Sequence, residues 1–334
     1  MGRAAGRVLG VMAVGMAALA AGLPAGAVGP PSGAPALVPY VTAEGVAGSV
    51  TLVGSDLVAR PLAELAAWFQ RRYPEAKVQI RPADSTAAAA ALIQDAAQLA
   101  VLSRLMEEGE VAKFEAAHGY RPTPYAIAVD ALAVCVHKDN PLEGLTLDQA
   151  DAIFSKTPRY SYRNITTWGQ LGLGGEWAEA PITLYGLAAT TGTHEFFKDK
   201  ALNREDFKAG VREFADSAAV VHAVVHDRTG MGYGSLAAAT PEVRVVPLAY
   251  DEGSPFVEPS VENIKGRKYP LRRYLYVYVN QAPRKLLPGH KPLPPAVREF
   301  LRLLHSQEGQ EALVRDGYVG VEDWIIQHGL AKIK

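Results

Sequence analysis

Four short stretches place hydroxyl side chains where an apolar run gives way to a helical pattern: Gly54-Ser55-Asp56, Asp84-Ser85-Thr86, Ser103-Arg104 and Thr190-Thr191-Gly192-Thr193. The start of a helix presents unpaired backbone N–H groups and the positive end of the helix dipole. Small residues there let an anion approach, and hydroxyls add donors. Four such turns converging on one cleft would surround a small oxyanion with hydrogen bonds without full neutralisation of its charge. Arg104 offers a forked, charge-assisted grip on an oxyanion, or a surface ion pair. Gly192, between two hydroxyls, permits close backbone approach. Asp56 would repel a bare dianion but accept from a proton-bearing oxygen, which favours monohydrogen phosphate over sulfate. It is equally an N-cap for the helix from Leu57, and capping is the ordinary use of every such residue. The candidate ligand set is therefore Ser55, Asp56, Ser85, Thr86, Ser103, Arg104, Thr191, Gly192 and Thr193. No catalytic residue, metal ligand or cofactor is assigned.

The elements that must hold these turns follow from periodicity. Ser49–Val53 reads as a strand, and Val58, Leu62, Leu65 and Phe69 share one helical face. Val78 and Ile80 alternate with polar neighbours as a strand. Asp84-Ser85-Thr86 then caps an Ala-rich helix, and Leu99–Leu102 is a further strand. Strand, polar turn and helix recur three times, which argues for a parallel α/β sheet. Thr146-x-x-Gln149 is a capping box. Ile182–Leu187 reads as a strand, Asp216–Val225 as a helix and Gly230–Ser235 as a tight loop. Arg272–Asn280 alternates Tyr274, Tyr276 and Tyr278 with Leu275, Val277 and Val279, a strand. Two amphipathic helices are expected near 295–305 and 307–315.

The long strand patterns near 125–137 and 271–280 bracket a middle segment of domain size. The expected fold is α/β, in two lobes joined by two crossover strands. Residues 49–130 and 270–334 would build one lobe and 131–269 the other, with ligand held in the cleft between.

The 334 residues are 49% hydrophobic and 21% charged, with a formal net charge of −1. That balance lacks the basic stripe of a nucleic-acid binder. Arg3 and Arg7 precede an apolar run to Leu23 and then Pro24-Ala25-Gly26-Ala27, the pattern of a secretory signal cut after Ala27. The run is short and Gly-rich for a membrane anchor. Residues 28–48, rich in Gly, Pro and Ala, read as a linker. The single cysteine, Cys135, sits in an apolar run and reads as a core residue. An exported protein, periplasmic or extracellular and soluble after cleavage, is expected, and a monomer.

Several ordered motifs resemble the phosphate-binding substrate-binding proteins of ABC transporters, over roughly Ser49 to Val321. Gly54-Ser55-Asp56 is similar to that family's opening loop and Leu102-Ser103-Arg104 to its Ser-Arg turn. Asp130–Pro141 resembles its crossover strand. Leu145–Gln149 with Ile153-Phe154-Ser155, Thr167–Leu171, Gly230–Gly234 and Tyr269–Val279 complete the series. The resemblance implies the two-lobed periplasmic binding protein fold (type II-like) with a closing cleft, inorganic phosphate or a related oxyanion as ligand, and ABC transporter permease subunits as partners. The family's anion loop reads Arg-x-x-Gly-Ser-Gly-Thr. Thr191-Gly192-Thr193 matches its end, but Leu187 falls on the arginine and Thr190 on the preceding glycine. Replacement charge would have to come from Arg104, Arg272 or His194.

Two other readings stay open, a phosphomonoester-acting enzyme and a diverged binding or signalling module on the same fold. The chain carries no Gly-x-Ser-x-Gly elbow, His-Glu-x-x-His or Walker A sequence. His222 and His226, at i, i+4 spacing, are more simply a helix face than a metal site.

Overall fold

The computed structural model describes residues 37–54, 56–159, 164–282 and 292–333. The export signal expected over 1–27 and the first part of the expected linker lie outside them. Residues 37–46 pack onto the body: the Tyr40 ring stands edge-on to Trp68 at 5.6 Å and its hydroxyl meets Tyr73 at 2.8 Å.

In chain order the first elements are β1 (Gly48–Gly54), α1 (Ala59–Arg72), β2 (Ala76–Pro82), α2 (Ser85–Ile93), β3 (Leu99–Leu102), α3 (Glu108–His118) and β4 (Thr123–His137). The middle of the chain adds β5 (Leu145–Thr146), α4 (Leu147–Phe154), β6 (Thr183–Leu187), α5 (Gly192–Ala201), β7 (Arg212–Phe214), α6 (Ser217–Val225), β8 (Gly230–Ser235), β9 (Val243–Val245), β10 (Leu248–Ala249) and α7 (Val261–Lys265). The chain then returns through β11 (Arg272–Val279) and closes with α8 (Pro295–Leu304), α9 (Gln307–Arg315) and α10 (Asp323–Lys332).

The strands run β2-β1-β3-β11-β4-β8-β6-β7 along one path, with β9 also on β4. Strand β4 belongs to two sheets at once. Its first part, Thr123 to Ala131, pairs antiparallel with β11, and from Leu132 onward it pairs with β8. The path thus divides at Ala131/Leu132 into two α/β halves joined by a shared strand.

Each half has its own core. In the first, side chains alternate across the sheet as a two-residue period requires. Leu99 and Val101 of β3 join Val50, Leu52, Phe69 and Phe300 beneath α1 and α8. Ala100 and Leu102 join Ala88, Leu92 and Phe114 beneath α2 and α3. The second core gathers Phe154, Trp168, Phe197 and Tyr233, with the last two rings stacked at 3.9 Å. Val319, Val321 and Ile326, near the chain's end, reach back into it. Cys135 is buried there, and burial pushes its thiol up to about 12, so it stays protonated.

One local expectation fails. Gly230–Ser235 is not a loop but β8, fully buried between β4 and β6. Its glycines answer to packing: a Cβ on Gly232 would lie 2.7 Å from Val220 Cγ1, and one on Gly234 would lie 2.9 Å from Ser217 Cβ. Helix α6 rests directly on the strand's backbone.

Candidate functional site

The turns gather at the ends of β3 and β6. Asp84 caps α2, its carboxylate accepting from Ala87 N–H at 2.8 Å. Ser85, the first helical residue, accepts from Ser103 N–H at 3.1 Å, and the two hydroxyl oxygens are 3.3 Å apart. The β3 end and the α2 start are therefore one unit. From the other half, Thr191 caps α5 by accepting from His194 N–H at 3.1 Å and donates to the Ala188 carbonyl at 3.0 Å. Gly192 opens that helix. A Cβ there would stand 2.9 Å from Ser103 Oγ, so the backbone of one half runs against the hydroxyl of the other.

Between them lies a cavity of about 830 Å³, lined by both turns and by Arg104, Glu107, Glu195, Lys198, Arg204 and Arg273 among others. Two helix N-termini and the hydroxyls of Ser85, Thr86 and Thr191 border it, an arrangement that concentrates hydrogen-bond donors on an anion.

The expected residues meet different fates. Ser85, Thr86, Ser103, Arg104, Thr191 and Gly192 all line the cavity. Thr193 is buried beside it, at 2% exposure. Ser55 and the side chain of Asp56 lie outside the described residues. Arg104 is not a free cation. It forks onto Glu110 at 2.7 and 2.9 Å and donates to Thr86 Oγ1 at 3.1 Å. Burial is the largest influence and would raise the Glu110 carboxyl, but Arg104, the Glu107 N–H and Lys113 together outweigh it and hold that group below its usual range. Arg104 thereby ties α3 to the start of α2, and its charge is already balanced.

The other two expected sources of charge point elsewhere. His194 is buried, with Nδ1 2.8 Å from the Leu187 carbonyl and its ring 4.4 Å from that of Phe207. Arg272 lies over the Tyr274 ring, 3.9 Å from Glu322, and does not line the cavity. Leu187, which falls on the arginine of the resembled anion loop, is a core residue.

Arg273, which sequence reasoning passed over for its neighbour, also lines the cavity. Strand residues alternate sides, so adjacent arginines face opposite ways. The Arg273 side chain is 4% exposed, and Nε and Nη2 donate to Asp130 Oδ2 at 3.0 and 2.8 Å. Nη1 donates to the Gly192 carbonyl at 2.7 Å and Nη2 to Thr193 Oγ1 at 3.0 Å. A signal was present in the sequence: an aspartate inside the apolar run of β4 requires a buried partner.

The remaining basic lining residues are also paired, Lys198 with Asp206 at 2.8 Å and Arg204 with Asp199 at 2.7 Å. The His222 and His226 rings lie 4.4 Å apart, and no group of three or more candidate metal ligands occurs among the described residues.

The fold has counterparts in known proteins. Residues 41–308 match the family model of the PBP superfamily domain. The phosphate-binding protein PstS of Pseudomonas aeruginosa strain PAO1 is 44% identical over 286 residues, covering 85% of this chain and 87% of that one. That of Staphylococcus aureus strain MRSA252 is 26% identical over 285 residues, covering 84% and 81%. Among solved structures, an ABC-type phosphate transport receptor from Vibrio cholerae superposes with a TM-score of 0.65 at 23% identity, covering 81% of this chain and 99% of its own. A possible phosphate-binding protein from Planctomyces limnophilus gives 0.65 at 22%, covering 86% and 99%. These two establish the two-lobed fold.

Proposed function

This chain belongs to the PBP superfamily and to the family of the PstS phosphate-binding proteins, and from that premise we propose that it captures inorganic phosphate in the cavity between its halves. The observation that carries the reading is the meeting of two helix N-termini, α2 and α5, with Ser103 on one cavity. The ligand would be held by Ser85, Thr86, Ser103, Thr191, Gly192 and Thr193, with Ser55 and Asp56 completing the set from the β1 end. Arg104 would act on the site through its hold on Thr86.

We take residues 49–130 and 270–334 as one lobe and 131–269 as the other, hinged where β4 changes partner. No helix among the described residues is long and apolar enough to cross a membrane. With an export signal over residues 1–27, the protein would work outside the cytoplasm as a monomer. It would deliver phosphate to the permease subunits of an ABC importer and catalyse no reaction itself.

Titration calorimetry with phosphate, sulfate and simple phosphomonoesters tests this. The expected result is saturable phosphate binding without turnover. Phosphomonoester hydrolysis would replace the reading with an enzyme, and silence toward every anion would replace it with a diverged binding or signalling module.

A further inference from the structure

Resting on the phosphate reading, we infer that Arg273 is the site's cation, delivered from the hinge strand rather than from the anion loop, and that Asp130 sets its selectivity by cancelling its net charge. The loop itself supplies none, since Leu187 is in the core and His194 faces inward. Arg273 stands at the second position of β11, directly opposite Asp130 in the register. That pairing falls one residue before β4 passes from one half to the other.

A hydrogen-bonded chain runs through this point. Ser217 of α6 accepts from Ser235 N–H at 3.0 Å, and Ser235 Oγ donates to Asp130 at 3.0 Å. Asp130 holds Arg273, and Arg273 holds the carbonyl of Gly192 and the hydroxyl of Thr193. The guanidinium also lies over the Phe196 ring, 4.9 Å from its centre. Five elements are thus joined where the two halves meet.

A buried ion pair adds little net stability over a well-packed apolar pair, so stability alone does not account for this one. What it adds is position. With its carbonyl fixed by Arg273, Gly192 has its backbone orientation set at the cavity wall, and the guanidinium remains behind the loop as a fixed positive dipole end. Because Asp130 balances it, the cavity selects among anions by hydrogen-bond geometry more than by charge.

Two substitutions test the role, with phosphate and sulfate titrated against parent and variants that unfold cooperatively. Arg273→Met removes both anchors of the loop and is expected to weaken phosphate binding by roughly tenfold or more. Asp130→Asn keeps an acceptor for Ser235 but leaves one positive charge unbalanced. It is expected to strengthen sulfate binding relative to phosphate and to make both more sensitive to salt. A pair that only supported the fold would weaken both anions in proportion. The inference is overturned if Arg273→Met binds phosphate within about threefold of the parent, or if Asp130→Asn leaves the phosphate-to-sulfate ratio unchanged. Should Arg273→Met fail to fold, Arg273→Lys, which keeps the charge and loses the fork, takes its place with the same threshold. A parent that binds neither anion overturns the phosphate reading and this role with it. A parent that binds phosphate beside an equally competent variant overturns only the role of Arg273.

Discussion

Gly192→Ala adds one methyl group where the two halves touch, and its consequence can be worked from the contact. The new Cβ would lie 2.9 Å from Ser103 Oγ and 3.9 Å from Ser103 Cβ, whereas ordinary contact begins at 3.4 Å. Only the hydroxyl is in the way, and it must retreat by about half an ångström. Turning it away separates it from Ser85 Oγ and removes a donor from the cavity. Losing one hydrogen bond to a charged ligand costs about 1.5–3 kcal/mol, or roughly 10–150-fold in Kd. The backbone at Gly192 is not left-handed, so alanine is tolerated there and improves helix propensity by up to about 1 kcal/mol. Phosphate affinity should therefore fall while thermal stability holds or rises. A double-mutant cycle by calorimetry sharpens this. Ser103→Ala alone should cause a similar loss, and adding Gly192→Ala to it should cost nothing further. The reasoning is refuted if Gly192→Ala keeps the parent Kd, or if the two losses simply add.

Other consequences reach beyond the cavity. Gly232→Ala should destabilise the protein by about 1–3 kcal/mol in denaturant unfolding through overpacking against Val220 and Val224, with the Kd of the folded fraction unchanged. Glu110→Gln should weaken phosphate binding by releasing Arg104 and Thr86. Because the parent carboxyl is held below its usual 4.5, the stability difference between the two should be constant near neutrality and vanish as acid titrates the parent's carboxylate. His305 is buried beside Tyr125 with its pKa lowered from 6.5 by burial. The unfolded chain then binds this proton first, so stability should fall as pH drops below 6.5. His305→Phe should flatten that slope in thermal melts, and an unchanged slope would remove His305 as its source.

Much of the site was legible because capping is local. Asp84, Thr146, Thr191 and Asp216 cap the helices that their spacing announced, since a cap needs only a hydroxyl or carboxylate within reach of an N–H three residues ahead. The alternating tyrosines of β11 likewise follow from a strand period that any short stretch displays. Periodicity cannot say which of two adjacent arginines faces inward, because a one-residue change of register exchanges the faces of the whole strand. Arg273 and Asp130 are 143 residues apart, and only sheet pairing sets them opposite each other. Gly230–Ser235 misled for a related reason. Its glycines resemble a turn locally, but they are there to let α6 lie on the sheet, a demand made by residues elsewhere in the chain. The sequence by itself determined the hydroxyl turns and the helix starts, both of which rest on neighbours in the chain. Tertiary structure decided the source of positive charge, because a buried cation needs a buried carboxylate and those two are brought together only by the fold.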